Sequence, residues 1–148
     1  MRKVDVRAGA TYGTVTTLAG QAGVIGHQDG IGANAIFSGV QALADDRKGG
    51  LITGGCFPDF SGSYPYVRKG CVVRRLDLTT LAVTTIAGQP YPAIGFAAGS
   101  TYADGPVASA VFGLIFGVAV DDAGGIYVGD IDYSLLRYIG PAWGASPL

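Results

Sequence analysis

The chain has 148 residues, a net charge of −1 and 14% charged residues, against 49% hydrophobic ones. That length suits one domain with enough apolar material for a core, and without a basic excess it carries no nucleic-acid footprint, which needs a positive stripe. Gly 25 and 10% aromatic residues, without runs of helix-favouring Glu, Lys or Gln, point to an all-β fold.

Residues 1–6, MRKVDV, carry an apolar-Arg-basic-apolar-Asp pattern that reads as a strand with one buried face. The pattern returns at 73–78, VRRLDL, and more loosely at 136–139, LRYI. Residues 15–20, VTTLAG, return almost unchanged as 83–88, VTTIAG. Their β-branched residues suit a pleated surface, and Ala-Gly marks the exit turn. Residues 37–55, FSGVQALADDRKGGLITGG, match 112–130, FGLIFGVAVDDAGGIYVGD, at an offset of 75. Phe37 meets Phe112, Asp46 meets Asp121, Gly49-Gly50 meet Gly124-Gly125, and Gly54 meets Gly129. Asp29-Gly30 and Asp104-Gly105 hold the same offset. In each copy an apolar run ends at Asp, Gly-Gly turns the chain, and a second apolar run follows, which is the pattern of a β-hairpin.

Four strand types follow in the order c, d, a, b, c, d, a, b, c. Type a precedes the Asp, b follows Gly-Gly, c carries Arg and d is the VTT strand. Four short strands per unit with Gly-rich turns is the plan of a propeller blade; a β-sandwich is the alternative, without a reason for the ordered repetition. The apolar run 107–120 is too short to span a bilayer and reads as a buried strand, so no membrane is expected. The first 13 residues hold no apolar segment of a secretory signal, which makes the cytoplasm the default expectation.

MRKVDV, VTTLAG, DGIGANAIF and GVAVDDAGGIYVGD together resemble NHL repeats. Two departures stand out: Asp130 has Gly55 as its counterpart, and the Asn-His pair that usually follows the hairpin is missing near Asp132-Tyr133-Ser134. The resemblance implies a β-propeller of about six blades. The chain would be a single module over 1–148: strands c–d at 1–20, blade one at 37–88, and blade two at 111–140 lacking its last strand. Two blades leave strand edges open, and repeat units normally stack in threes or more. The expectation is therefore assembly in trans, with the VTTLAG strand of one chain completing the last blade of its neighbour. Three chains of two blades give a C3 homotrimer. The alternative is a fragment of a longer propeller without independent function.

Asp46, Asp121 and Asp122 end a strand before Gly-Gly, which favours turn capping over a metal or acid-base role. Asp29 and Asp104, each before Gly, read as turn residues of the same kind. Asp130 and Asp132 would share one face of a strand, short of the oxygens calcium requires. The single histidine, His27, sits in a Gly-rich loop without a second imidazole for zinc. No catalytic residue, metal ligand or cofactor is therefore assigned. Cys56 and Cys71 bracket an insertion between strands b and c; they would form a disulfide in an oxidising compartment and stay thiols in a reducing one. Inside it Phe57, Phe60, Tyr64, Tyr66 and Arg68 form the densest aromatic group, of the residue types interfaces favour. These five are the candidate contacts for a protein, peptide or glycan. The functional expectation is a non-enzymatic binding module that self-assembles into a propeller ring. Its rival is a metal-dependent propeller lyase or hydrolase with its site on the ring axis.

Overall fold

The computed structural model describes residues 1–4, 13–57, 69–89 and 102–141. Among them the architecture is all-β, with ten strands, one short 3-10 turn at Gly32–Asn34 and no α-helix. The strands are β1 (Arg2–Val4), β2 (Val15–Thr17), β3 (Gly30–Ile31), β4 (Val40–Asp45) and β5 (Gly50–Phe57), then β6 (Lys69–Asp77), β7 (Ala82–Gly88), β8 (Ile115–Val120), β9 (Ile126–Asp130) and β10 (Leu135–Ile139). They form three antiparallel sheets, none of them closed: β1-β2, β3-β7-β6-β5-β4 and β10-β9-β8.

The chemistry of the turns sets this order. Asp46 Oδ1 accepts the amides of Lys48 and Gly50, both at 2.7 Å, and Asp121 Oδ1 accepts that of Gly125 at 2.7 Å. Each Asp thereby closes the hairpin between its two apolar runs. Gly49 and Gly124 take φ of 83° and 92°, where a side chain would be strained. Asp77 caps the β6–β7 turn in the same manner, accepting the amides of Thr79 and Thr80. The copies also share an irregularity: β4 slips register between Val40 and Ala42, and β8 slips between Ile115 and Gly117.

The three sheets stack in chain order. Pairing across strands puts Leu51, Leu76 and Val83 on one face of the middle sheet, and they pack with Ala19, Met1 and Leu18 of the β1–β2 unit. The opposite face carries Ile52, Gly54 and Val73, and meets Ile115, Ile126 and Val128 of the third sheet. Ile52 and Ile115 are both 0% exposed, so each contributes roughly 1.5–3 kcal/mol of apolar burial. Gly54 is glycine because the sheets touch there: a Cβ would collide with Ile115.

The run 107–120 departs from expectation. Its strand starts only at Ile115, because residues 106–110 form a turn in which the amides of Ser109 and Ala110 bond to Pro106 O. Along β8, Phe116 is 63% exposed, so the strand is covered on one face only.

Candidate functional site

The repeats are joined by buried arginines. Arg74, on β6, sends Nε and Nη2 to Asp29 Oδ1 at 3.1 and 2.7 Å, Nη1 to Ile36 O and Nη2 to Gln28 O. Its guanidinium lies 4.7 Å from the centre of the Phe37 ring, within cation-π range. Arg137, on β10, repeats this with Asp104 Oδ1 (2.9 Å from Nε), Val111 O, Ala103 O and the Phe112 ring at 4.4 Å. The Asp-Gly aspartates are therefore ion-pair partners of the c-strand arginine rather than simple turn residues. The partners lie far apart in sequence, so no local motif announces them; the only sequence signal is that the Asp-Gly pair and the c-strand Arg recur together.

Asp46 serves the fold twice, as turn cap and as partner of Arg75 Nε at 2.6 Å. Burial alone would raise its pKa, but the Lys48 and Gly50 amides and the Arg75 guanidinium hold it below the ordinary carboxylate range. Asp122, highly exposed, pairs instead with Arg47.

His27 Nε2 lies 2.9 Å from Gly70 O and 2.8 Å from Ser38 Oγ, tying the Gly-rich loop to the start of β6. Burial lowers its pKa, which favours the neutral imidazole over the charged one. Ser38 Oγ sits within 3.2 Å of both ring nitrogens rather than in line with one, and Asp29 is committed to Arg74, so the three do not form a relay.

Asp130 is the one buried acid of the third sheet, at 2% exposure. Its Oδ2 accepts the Gly113 amide at 2.8 Å, Arg137 Nη1 stands 3.7 Å away, and its Oδ1 has no hydrogen-bond partner among the described residues. Burial raises its pKa. Asp132 does not share its strand; it lies in the following turn and accepts the Leu114 amide at 3.1 Å. Both carboxyls thus hold the loop that enters β8. Among the described residues no group of three or more His, Cys, Asp or Glu side chains is placed to hold a metal.

Cys56 and Cys71 are opposite one another on β5 and β6, 4.0 Å apart at Cα, and are joined as a disulfide. They close the base of the insertion. Phe60, Tyr64, Tyr66 and Arg68 lie outside the described residues, and Phe57 is described only as the end of β5.

No protein-family model matches the chain, and no curated protein matches it in sequence.

The two repeats are alike in sequence but differ in how their equivalent positions are covered. In the second repeat, the counterparts of Ile52, Gly54 and Val73 are Tyr127, Gly129 and Leu136. In the first copy these positions are buried against the next sheet; Ile52 and Val73 are 0% exposed. In the second copy Leu136 is 77% exposed and Tyr127 41%. Tyr127 packs on Tyr138, ring centres 5.0 Å apart, and beside them a shallow hollow of about 620 Å³ opens over Gly117 and Gly129, edged by Phe116 and Ile131. The opposite end of the stack mirrors this. Val4 and Val15 are 54% and 53% exposed where their counterparts Leu76 and Val83 are 0% and 2%. Sequence reading missed both surfaces, although the repeat alignment contained them: each is a stacking face on which the described residues place no further sheet.

Proposed function

We propose that the chain is a non-enzymatic interaction module of NHL-like propeller repeats, which associates end to end with copies of itself into a ring. The observation that carries this reading is the pair of apolar faces at the two ends of the stack, uncovered at the repeat positions that are buried inside it. Contiguous exposed apolar surface on this scale marks an interaction site. A face that receives the next sheet at one end, and one that receives the previous sheet at the other, make a head-to-tail contact, which closes into a ring when the rotation allows. Three copies would bring six units of strand types a, b and c, with a β1–β2 sheet between successive pairs. The aromatic insertion between Cys56 and Cys71, whose disulfide joins β5 to β6, is the proposed contact for an outside protein, peptide or glycan.

Leu136→Asp tests the reading, because the side chain is exposed and its loss leaves the inner core intact. In sedimentation velocity the wild type is expected to run as a multiple of the 15.0 kDa chain and the variant as a single chain, with unchanged far-ultraviolet circular dichroism. Equal sedimentation of the two would reject the end face as the contact. A monomeric wild type would leave the faces to other blades of a longer polypeptide.

A further inference from the structure

The two repeats fasten the start of strand c by different chemistry. His27 and Tyr102 each stand two residues before the Asp-Gly aspartate, and Ser38 and Gly113 each follow the phenylalanine of a clamp. Gly70 and Tyr133 each stand four residues before the clamp arginine. These equivalent trios meet in both copies. In the second, the rings of Tyr102 and Tyr133 lie 5.4 Å apart, and a Cβ at Gly113 would collide with the Tyr133 ring. In the first, His27 Nε2 lies 2.9 Å from Gly70 O, and Ser38 Oγ stands 2.8 Å from Nε2 and 3.2 Å from Nδ1. An aromatic contact in one repeat is thus a histidine contact in the other, and histidine changes its charge between about pH 5 and 8.

What that histidine holds is the exit of the insertion. Gly70 has a φ of 70° and sits where the β5–β6 register shifts, between the Cys56–Cys71 and Phe57–Lys69 pairs, so it is the bulged residue. The disulfide fixes Cys71 beside it, and the direction of the chain between the insertion and β6 is set at Gly70. The backbone behind His27 is pinned: Gln28 and Ile36 exchange amide-carbonyl bonds, and Gln28 O also accepts Arg74 Nη2. That leaves the imidazole as the part that can swing. Its neutral form suits the place. Donating Nε2–H to Gly70 O leaves Nδ1 as an acceptor for the hydroxyl of Ser38, a residue 2% exposed. Protonation adds a second cation near Arg74, whose counter-charge Asp29 already accepts Arg74 and Thr85. Arg74 and Asp29 are the charged groups that act on the ring among the described residues. Burial is the largest effect and opposes the charge, with Arg74 adding to it; the Gly70 carbonyl and Asp29 favour the charge without reversing the outcome.

We propose that His27, with Ser38 and the Gly70 carbonyl, is a proton-operated catch on the exit of the Cys56–Cys71 insertion, closed by the neutral imidazole and opened by protonation in mildly acidic medium. This rests on the reading of the insertion as the contact for an outside partner, and adds that pH regulates how that contact is held. The closed catch binds the proton less well than an open one does. Closure is therefore fully favoured above the ordinary imidazole pKa and is lost as pH falls below it. With an open-state imidazole at the ordinary value of about 6.5, opening gains up to about tenfold at pH 5.5. The second repeat, with its tyrosine pair, has no such response.

Residue-resolved amide hydrogen exchange on the oxidised full chain, corrected for intrinsic rates, tests the catch without any partner. The amides of Gly70, Cys71 and Val72 are expected to exchange up to about tenfold faster at pH 5.5 than at pH 7.5, with no acceleration in β9 and β10. His27→Gln keeps a donor for Gly70 O and does not titrate, so its exchange at these amides should be alike at both pH values. An unchanged wild type, an equal acceleration in β9 and β10, or an acceleration that survives His27→Gln would each overturn the catch. Acceleration confined to the wild-type stem supports it whether or not the insertion proves to bind a partner. A stem indifferent to pH overturns it whatever the insertion binds.

Discussion

The two arginine clamps are chemically alike and differently covered, so substituting each with Met measures what the covering strand contributes. Arg74 is 2% exposed and its Asp29 partner is shielded by Thr85; the side chain of Arg137 is 8% exposed, with a partner at 75%. Removing one member of a buried ion pair costs about 3–5 kcal/mol, because the other is left without its charge partner. Asp29 is half-exposed and regains some water, which brings Arg74→Met to about 3 kcal/mol. Asp104 regains more, so Arg137→Met should cost nearer 1.5 kcal/mol, the scale of one hydrogen bond to a charged group. Met fills most of the arginine stem's volume, and the contact with Phe37 or Phe112 survives as an apolar one. Urea unfolding followed by far-ultraviolet circular dichroism, under oxidising conditions, reads both costs as midpoint shifts at constant slope. Equal costs, or a larger one for Arg137, would refute the argument that the d strand strengthens the clamp beneath it.

Two further outcomes are expected. Replacing Cys56 and Cys71 together with Ser opens a 15-residue separation and should lower stability by about 3 kcal/mol, measured by the same unfolding curve with the reduced wild type as control; no difference between oxidised protein and the double variant would contradict it. Burial raises the pKa of Asp130, so the folded state binds that proton more tightly than the unfolded chain does. Its contribution is full below the unfolded carboxylate pKa and is lost as pH rises through the elevated folded value. Asp130→Asn keeps an acceptor for the Gly113 amide and does not titrate. Its stability relative to wild type should therefore increase from pH 4 to pH 7, and a flat difference would show that Asp130 is ionised as readily in the fold as outside it.

Much of the strand plan was legible in the sequence because it is written in local chemistry. Asp46 and Asp121 close their hairpins through amides only a few residues ahead, and Gly-Gly supplies the positive φ each turn needs. The order of strand types follows from these turns and the Thr-rich strands. The segment 107–114 reads as strand because it is mostly apolar, yet it serves a loop whose Val111 carbonyl is taken by Arg137. The clamps themselves were hidden for the same reason: Arg74 reaches back 45 residues to Asp29, and nothing in either neighbourhood names the other. The end faces required the fold, since exposure of Leu136 gains meaning only when Val73, its counterpart, is seen to be buried.

The central claim is that those end faces meet between copies. Absolute mass by light scattering after size exclusion, across a dilution series of the oxidised wild type, tests it most directly. A species near three times 15.0 kDa that dissociates on dilution is the expected result. A single 15.0 kDa species at every concentration would contradict it.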